Sequence, residues 1–416
     1  MTLSRRKFLA RSGLLGCSLA ASPLITPMSF AAAPWDRRLV VIILRGGMDG
    51  LDVLRPYGDP GFAGLRPGLL QAKNADAAGG LDLDGFFAMH PALAPLMPLW
   101  QQQELGFVQA VSTPYRDRRS HFDGQDLLEA GTIGLGERRD GWLNRLLQVQ
   151  TGVVARTAFA IGNGDLRLLQ GAAPVSDWSP DADLALSPQA EQLATLMMQE
   201  DPLFSAALSE ALALSRDAAA AAAAPAFGGQ AVDMMADMAA GAMEMPRPAP
   251  GKPHVKLASF AAEQLRGDTR IASFSLNGWD THNRQKASLK PALTRLSDCI
   301  LTLKQELGET VWDKTAVVAM TEFGRTVREN GTGGTDHGTG GAMVLAGGAI
   351  RGGRVYGRWP GLEEAALYNR RDLMPTGDVR EATAWIMRGL TATGQRDLET
   401  TVFPGLQMGQ DPGFLR

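Results

Sequence analysis

Residues 38–44, RLVVIIL, run without a break into Arg45-Gly46-Gly47-Met48-Asp49-Gly50-Leu51. A continuous apolar, β-branched run of strand length, with no polar alternation, reads as a central strand of a parallel sheet buried on both faces. The glycine turn that ends it sets Asp49 at the carboxyl end of this first strand, which is where open α/β sheets bind their ligands. Similar buried strands are expected at 105–111, 157–161, 270–276, 315–320 and 342–346, with a shorter one within 352–357. Helical patterns fall between them, at about 90–100, 120–131, 140–150, 187–216, 254–266 and 285–307. Strands alternating with helices predict an α/β fold, a doubly wound, mainly parallel sheet with right-handed crossovers. No fixed-period repeat interrupts this plan.

In such a sheet the loops that follow the strands share one edge, and the polar residues of this chain fall in those loops. Successive strand ends deliver Asp49, Ser120 with His121, Asp280 with His282, and Glu322 with Arg325. A further loop, GTGGTDHGTGGAMVLAG at 331–347, carries Asp336-His337 into the following strand. Three of the five histidines belong to this set; His90 and His254 do not. Carboxylate oxygen and imidazole nitrogen suit a borderline or hard divalent cation, and the glycines allow close backbone approach. Each residue alone also has a structural reading. Asp49 fits a Gly-Asp-Gly turn, Ser120 with Asp123 fits a helix cap, Asp280 another cap, His282 packing on Trp279, and Glu322 with Arg325 an ion pair. It is their joint placement after successive strands that favours a site.

Composition narrows the setting. Ser4-Arg5-Arg6-Lys7-Phe8-Leu9, a weakly apolar stretch over 14–30 and Ala31-Ala32-Ala33 form a twin-arginine export signal over residues 1–31, which predicts a periplasmic or exported protein. Arg11, Pro23 and Pro27 break the run, so it is too short to span a membrane, and no stable span is expected after cleavage. Cys17 offers an alternative lipidation site. The leader holds four cations and no acid, so its removal takes the formal charge from −3 to −7, which argues against nucleic acid as a partner. Only Cys299 then remains, and no intramolecular disulfide can form. Residues 35–416 are expected to form one α/β domain with a flexible insertion at about 218–253. That insertion begins with the alanine run 218–224 and holds Met234, Met235, Met238, Met243 and Met245, an adaptable apolar patch rather than a soft metal box. No Gly-Lys-Ser/Thr closes a glycine run, so a P-loop is absent.

The motifs SRRKFL, LRGGMDGLD (44–52), RSHFDGQD (119–126), GWDTHNRQ (278–285), TEFGRT (321–326) and TDHGTGGAMVLAGG (335–348) resemble the exported family of the domain of unknown function 1501. That family is similar in turn to the alkaline phosphatase and sulfatase superfamily. The resemblance implies an alkaline-phosphatase-like fold with one or two divalent ions, zinc, manganese, magnesium or calcium. It implies Asp49 as a first metal ligand, Ser120 as nucleophile at a helix start, and Asp280 with His282 as a further ligand pair. Either Asp336-His337-Gly338 corresponds to the superfamily's Asp-His-Gly motif, or TEFG does, with Glu322 for Asp, Phe323 for His and His337 as the final histidine. The GGAIRGG turn after His337 favours the second. Phe323 then leaves one position short of a ligand, which His121 can supply.

The function expected on this basis is metal-dependent hydrolysis of phosphate or sulfate esters. Arg119 or Arg325 would clamp the oxygens of a small anionic ester or of a surface polymer. The alternative is a non-catalytic exported binding or scaffold protein that acts with an envelope partner. Carbohydrate chemistry by paired carboxylates ranks below both, since only 6% of residues are aromatic.

Overall fold

A computed structural model describes residues 35–70, 79–162, 166–179, 248 and 251–416. The expected export leader, the helix expected over 187–216 and the methionine-rich stretch of the expected insertion lie outside the described residues. The strands, in chain order, are β1 (Arg38–Arg45), β2 (Leu54–Arg55), β3 (Leu81–Asp82), β4 (Ala88–Met89), β5 (Leu105–Ser112) and β6 (Ala158–Ile161). They continue with β7 (Ser176–Trp178), β8 (Ile271–Asn277), β9 (Thr315–Met320), β10 (Gly341–Ala346), β11 (Arg354–Tyr356) and β12 (Gly377–Asp378). The helices that matter below are α1 (Gly50–Val53), α2 (His121–Ala130), α3 (Trp142–Gln148), α4 (Pro253–Arg266), α5 (Gln285–Trp312) and α6 (Val379–Thr391).

Nine strands form one sheet in the order β11-β5-β10-β9-β1-β8-β6-β7, with β12 also pairing β5, while β2, β4 and β3 make a small separate sheet. β1 pairs in parallel with β8 on one side and β9 on the other, so the 38–44 run does occupy the middle. Its side chains alternate between two cores. Val40, Ile42 and Leu44 lie in one, with residues of α4 and α5, and Leu39, Val41 and Ile43 in the other, with residues of α3 and α6. Both faces are therefore covered by helices, and burial of each such side chain is worth roughly 1.5–3 kcal/mol.

One strand departs from the parallel plan. β10 runs antiparallel to both β5 and β9, so among the nine it alone is reversed. Its amino end therefore lies where the other strands have their carboxyl ends. Helix ends follow local chemistry. Ser120 caps α2, and Gly131, at φ 65°, closes it with its N–H on Leu127 O. α5 continues past the expected 307 to Trp312 through a break at Gly308. The helix expected before Trp100 is a 3-10 turn, Pro91–Leu96, running into Met97–Gln101. α6 had no counterpart in the sequence reading. Among the described residues no helix is long and apolar enough to cross a membrane.

Candidate metal centre

Four segments meet at the carboxyl edge of the sheet: the start of α2, the turn after β8, the turn after β9, and the loop before the reversed β10. Close approach is built into their glycines. Gly46 has φ +124°, and a Cβ there would stand 2.5 Å from the backbone nitrogen of Asp280. At Gly334 a Cβ would stand 2.3 Å from the carbonyl of His282. The ligand atoms of His121, Asp280 and His337 consequently all lie within 4.8 Å of one another. His282 joins them, its Nε2 being 2.9 Å from His337 Nε2 and 3.1 Å from Asp280 Oδ1.

The outer nitrogen of each imidazole has its own acceptor. His121 Nδ1 donates to Glu322 Oε1 (2.8 Å), His282 Nδ1 to Asp336 Oδ1 (3.2 Å) and His337 Nδ1 to the carbonyl of Arg119 (2.9 Å). A carbonyl can only accept, and ionised carboxylates likewise, so each ring carries a proton on Nδ1 and turns its Nε2 inward, where it can ligate an ion once free of any proton of its own. His121 Nε2 is buried with no hydrogen-bond partner; Asp280 Oδ2 is its nearest opposite charge, at 3.5 Å. Phe323 stacks on the His121 ring at 5.1 Å and lies 4.9 Å from that of His337, forming an apolar wall.

The Glu322 hydrogen bond raises the pKa of His121. Burial opposes ionisation of Glu322, yet the hydrogen bonds from His121, Gln125 and Thr321 hold it below the usual range. Asp280 is also held low, because Arg325 and the neighbouring imidazoles outweigh its desolvation. The hydrogen bond from Asn330, followed by that from His282, lowers Asp336. Burial lowers His337, which favours its neutral form.

Several residues take other parts than those the sequence suggested. Asp49 is not brought into the cluster. It caps α1 through Leu51 N, and its Oδ2 meets Arg66 Nη1 (2.6 Å), Gln285 Nε2 (2.6 Å) and Thr335 Oγ1 (3.4 Å). Arg66 is fully buried and also binds the carbonyls of Thr326 and Val327, so the cation facing Asp49 is a guanidinium. Glu322 and Asp336 hold rings rather than reach the centre. Arg325 is buried with all three nitrogens engaged, by the carbonyls of Gly46, Gly47, Trp279 and Thr335 and by Asp280 Oδ1 at 2.6 Å. It positions Asp280 and is not free to clamp a substrate.

Ser120 serves as the α2 cap, its Oγ accepting from Asp123 N at 3.4 Å and its N–H bonding the Tyr115 hydroxyl at 2.7 Å. Arg119 adopts φ 55°, the left-handed conformation that aims its carbonyl at His337. Its exposed side chain makes no hydrogen bond or ion pair to another described residue. Two contributors escaped the sequence reading. Gln125 bonds Glu322 Oε1 at 3.1 Å and lies four residues after His121, one turn along the same helix face, a spacing that could have revealed it. Asn330 bonds Asp336 Oδ1 at 3.1 Å and left no comparable signal.

No curated protein matches the sequence. Among solved structures the chain is similar to the lipoteichoic acid synthase LtaP from Listeria monocytogenes, at 8% identity and a TM-score of 0.37, over 90% of this chain and 77% of that one. A likeness of that degree bears on neither activity nor site. The family model described as protein of unknown function (DUF1501) matches residues 88–384, which span α2, β8, β9 and the loop before β10, and the chain belongs to that family.

Proposed function

We propose that the protein is an exported, metal-dependent hydrolase of phosphate or sulfate esters. One observation carries the reading: ligand atoms of His121, Asp280 and His337 lie within 4.8 Å of one another, with His282 Nε2 against both Asp280 and His337, a donor set that fits a divalent cation. His121, Asp280, His282 and His337 would hold the ion, which when bound supplies Lewis acidity toward an ester oxygen. Glu322, Asp336 and the Arg119 carbonyl keep the three rings in the binding tautomer. Ser120, at the positive end of the ten-residue α2 and beside His121, is the nucleophile of this reading. The Arg119 guanidinium takes the anionic oxygens.

The test is turnover by the purified, metal-loaded chain across phosphomonoester, phosphodiester and sulfate ester panels. Activity on one class that is abolished by Asp280→Ala and by His337→Ala is expected, and no turnover on any class defeats the proposal. A non-catalytic binding protein, acting with an envelope partner or a surface polymer, is the second reading. It draws support from Asp49, which faces Arg66, and from Ser120, whose hydroxyl caps a helix. Export rests on Arg5-Arg6, and Arg5→Lys with Arg6→Lys should retain the protein in the cytoplasm on fractionation.

A further inference from the structure

We infer that the centre is built for one nitrogen-seeking divalent ion of the zinc type, held by His121, Asp280, His282 and His337, and that it takes neither calcium, magnesium nor a second ion. This rests on the metal-centre reading above and is independent of ester hydrolysis.

The Nδ1 atoms of the three rings are spent on acceptors that cannot donate, which leaves the Nε2 atoms of His282 and His337, 2.9 Å apart, as the ring atoms placed to bind an ion. Both also face the carboxylate, at 3.1 and 3.3 Å from Asp280 Oδ1, and the orphaned His121 Nε2 stands 3.5 Å from Oδ2. Nitrogen and carboxylate oxygen packed this closely need a cation among them, protons in the ion-free chain and a metal that displaces them when bound. Two ligands of a tetrahedral ion with metal–nitrogen bonds of roughly 2.0–2.1 Å stand about 3.3 Å apart, and these four contacts, of the six pairs the set makes, bracket that spacing.

Chemistry then selects the ion. Three imidazoles and one carboxylate suit zinc and the later first-row metals, whereas calcium takes six to eight oxygens and magnesium favours octahedral oxygen. A second ion would need more carboxylate. Asp49 faces Arg66, Glu322 Oε1 accepts from Gly46 N, His121 and Gln125, and Glu322 Oε2 accepts from Thr321. Asp336 Oδ1 serves His282 and Asn330, which leaves its other oxygen as too small a contribution for a second site.

The full-length chain, stripped by chelator, is titrated with zinc, cobalt(II), calcium and magnesium, with calorimetry and elemental analysis for stoichiometry. Expected are one zinc or cobalt ion per chain, a cobalt form with the intense visible bands of four- or five-coordination, and zinc that stays bound under millimolar calcium or magnesium. His282→Ala should weaken zinc binding tenfold or more, while Asp49→Ala, checked for folding by its thermal melt, should leave one ion per chain. Two ions per chain, displacement by calcium or magnesium, absence of zinc binding, or a folded His282→Ala variant with wild-type affinity would each overturn the inference. Bound zinc without turnover on any ester would remove only the hydrolase.

Discussion

Glu322 offers the sharpest single test of how the centre is held. Its Oε1 accepts from Gly46 N at 2.9 Å, His121 Nδ1 at 2.8 Å and Gln125 at 3.1 Å, and its Oε2 from Thr321 Oγ1 at 2.8 Å. Glu322→Gln can keep its amide oxygen at the Oε1 position and turn its NH2 toward Thr321 Oγ1, whose single proton, within reach of both Glu322 Oε2 and Leu44 O, then goes to Leu44 O. The His121 tautomer survives this change and only the charge behind the ring is lost. Glu322→Ala also removes the acceptor, so His121 is free to move its proton to Nε2 and rotate. Outer-shell partners of this kind are worth 10- to 100-fold in metal affinity, about 1.4–2.7 kcal/mol. The glutamine variant should therefore fall at or below the lower bound, and alanine toward the upper. Alanine also strands the buried Gly46 N–H, at a cost of about 1–3 kcal/mol of apo stability. Chelator-competition titrations, read beside thermal melts of the apo forms, separate affinity from folding. A folded alanine variant with wild-type zinc affinity, or a glutamine variant that binds more weakly than alanine, would refute the proton assignment.

Substitutions at three other residues probe separate parts of the structure. His90 Nδ1 accepts from Ala92 N, and burial, against the pull of Asp52, lowers its pKa from 6.5 to about 4. The unfolded chain then binds the proton first as pH falls, so stability present above about pH 6.5 is lost toward pH 4, by up to about 3 kcal/mol. Denaturant titrations across that range should show the loss, and His90→Gln should flatten it. Arg66→Ala leaves the Asp49 carboxylate buried without its guanidinium and should cost about 3–5 kcal/mol in urea unfolding, with ion stoichiometry unchanged in the folded fraction. Arg119→Gly keeps the left-handed backbone and should preserve zinc affinity while raising KM for an anionic ester. Arg119→Val, whose branched side chain resists that conformation, should weaken zinc binding several-fold in the same titration.

Much of this arrangement was legible in the sequence, and the exceptions share a cause. The runs at 38–44, 105–111 and 315–320 announced buried strands because burial on both faces leaves no alternation to misread, and β1, β5 and β9 follow them to within a residue. The orientation of β10 was not legible, since a six-residue apolar strand looks the same in either direction. His121, Asp280, His282 and His337 were found because each follows or precedes a strand at the edge. Asp49 met the same criterion but is drawn aside by Arg66, which sits in a stretch of loop-like composition with no periodic signal. Glu322 and Asp336 were located in the right neighbourhood without their roles, because whether a carboxylate meets an ion or a ring nitrogen is decided by which atoms face each other.

The reversal of β10 bears on how the chain matures. β10 fills the gap between β5 and β9, so until it inserts, β5 with β11 and β12 is separated from the group of β9, β1, β8, β6 and β7. The last histidine arrives on the loop that leads this strand, more than two hundred residues after His121. A nascent or truncated chain that stops short of β10 therefore has neither a closed sheet nor a full set of ligands, and capture of the ion becomes a report that the final central strand has been threaded home.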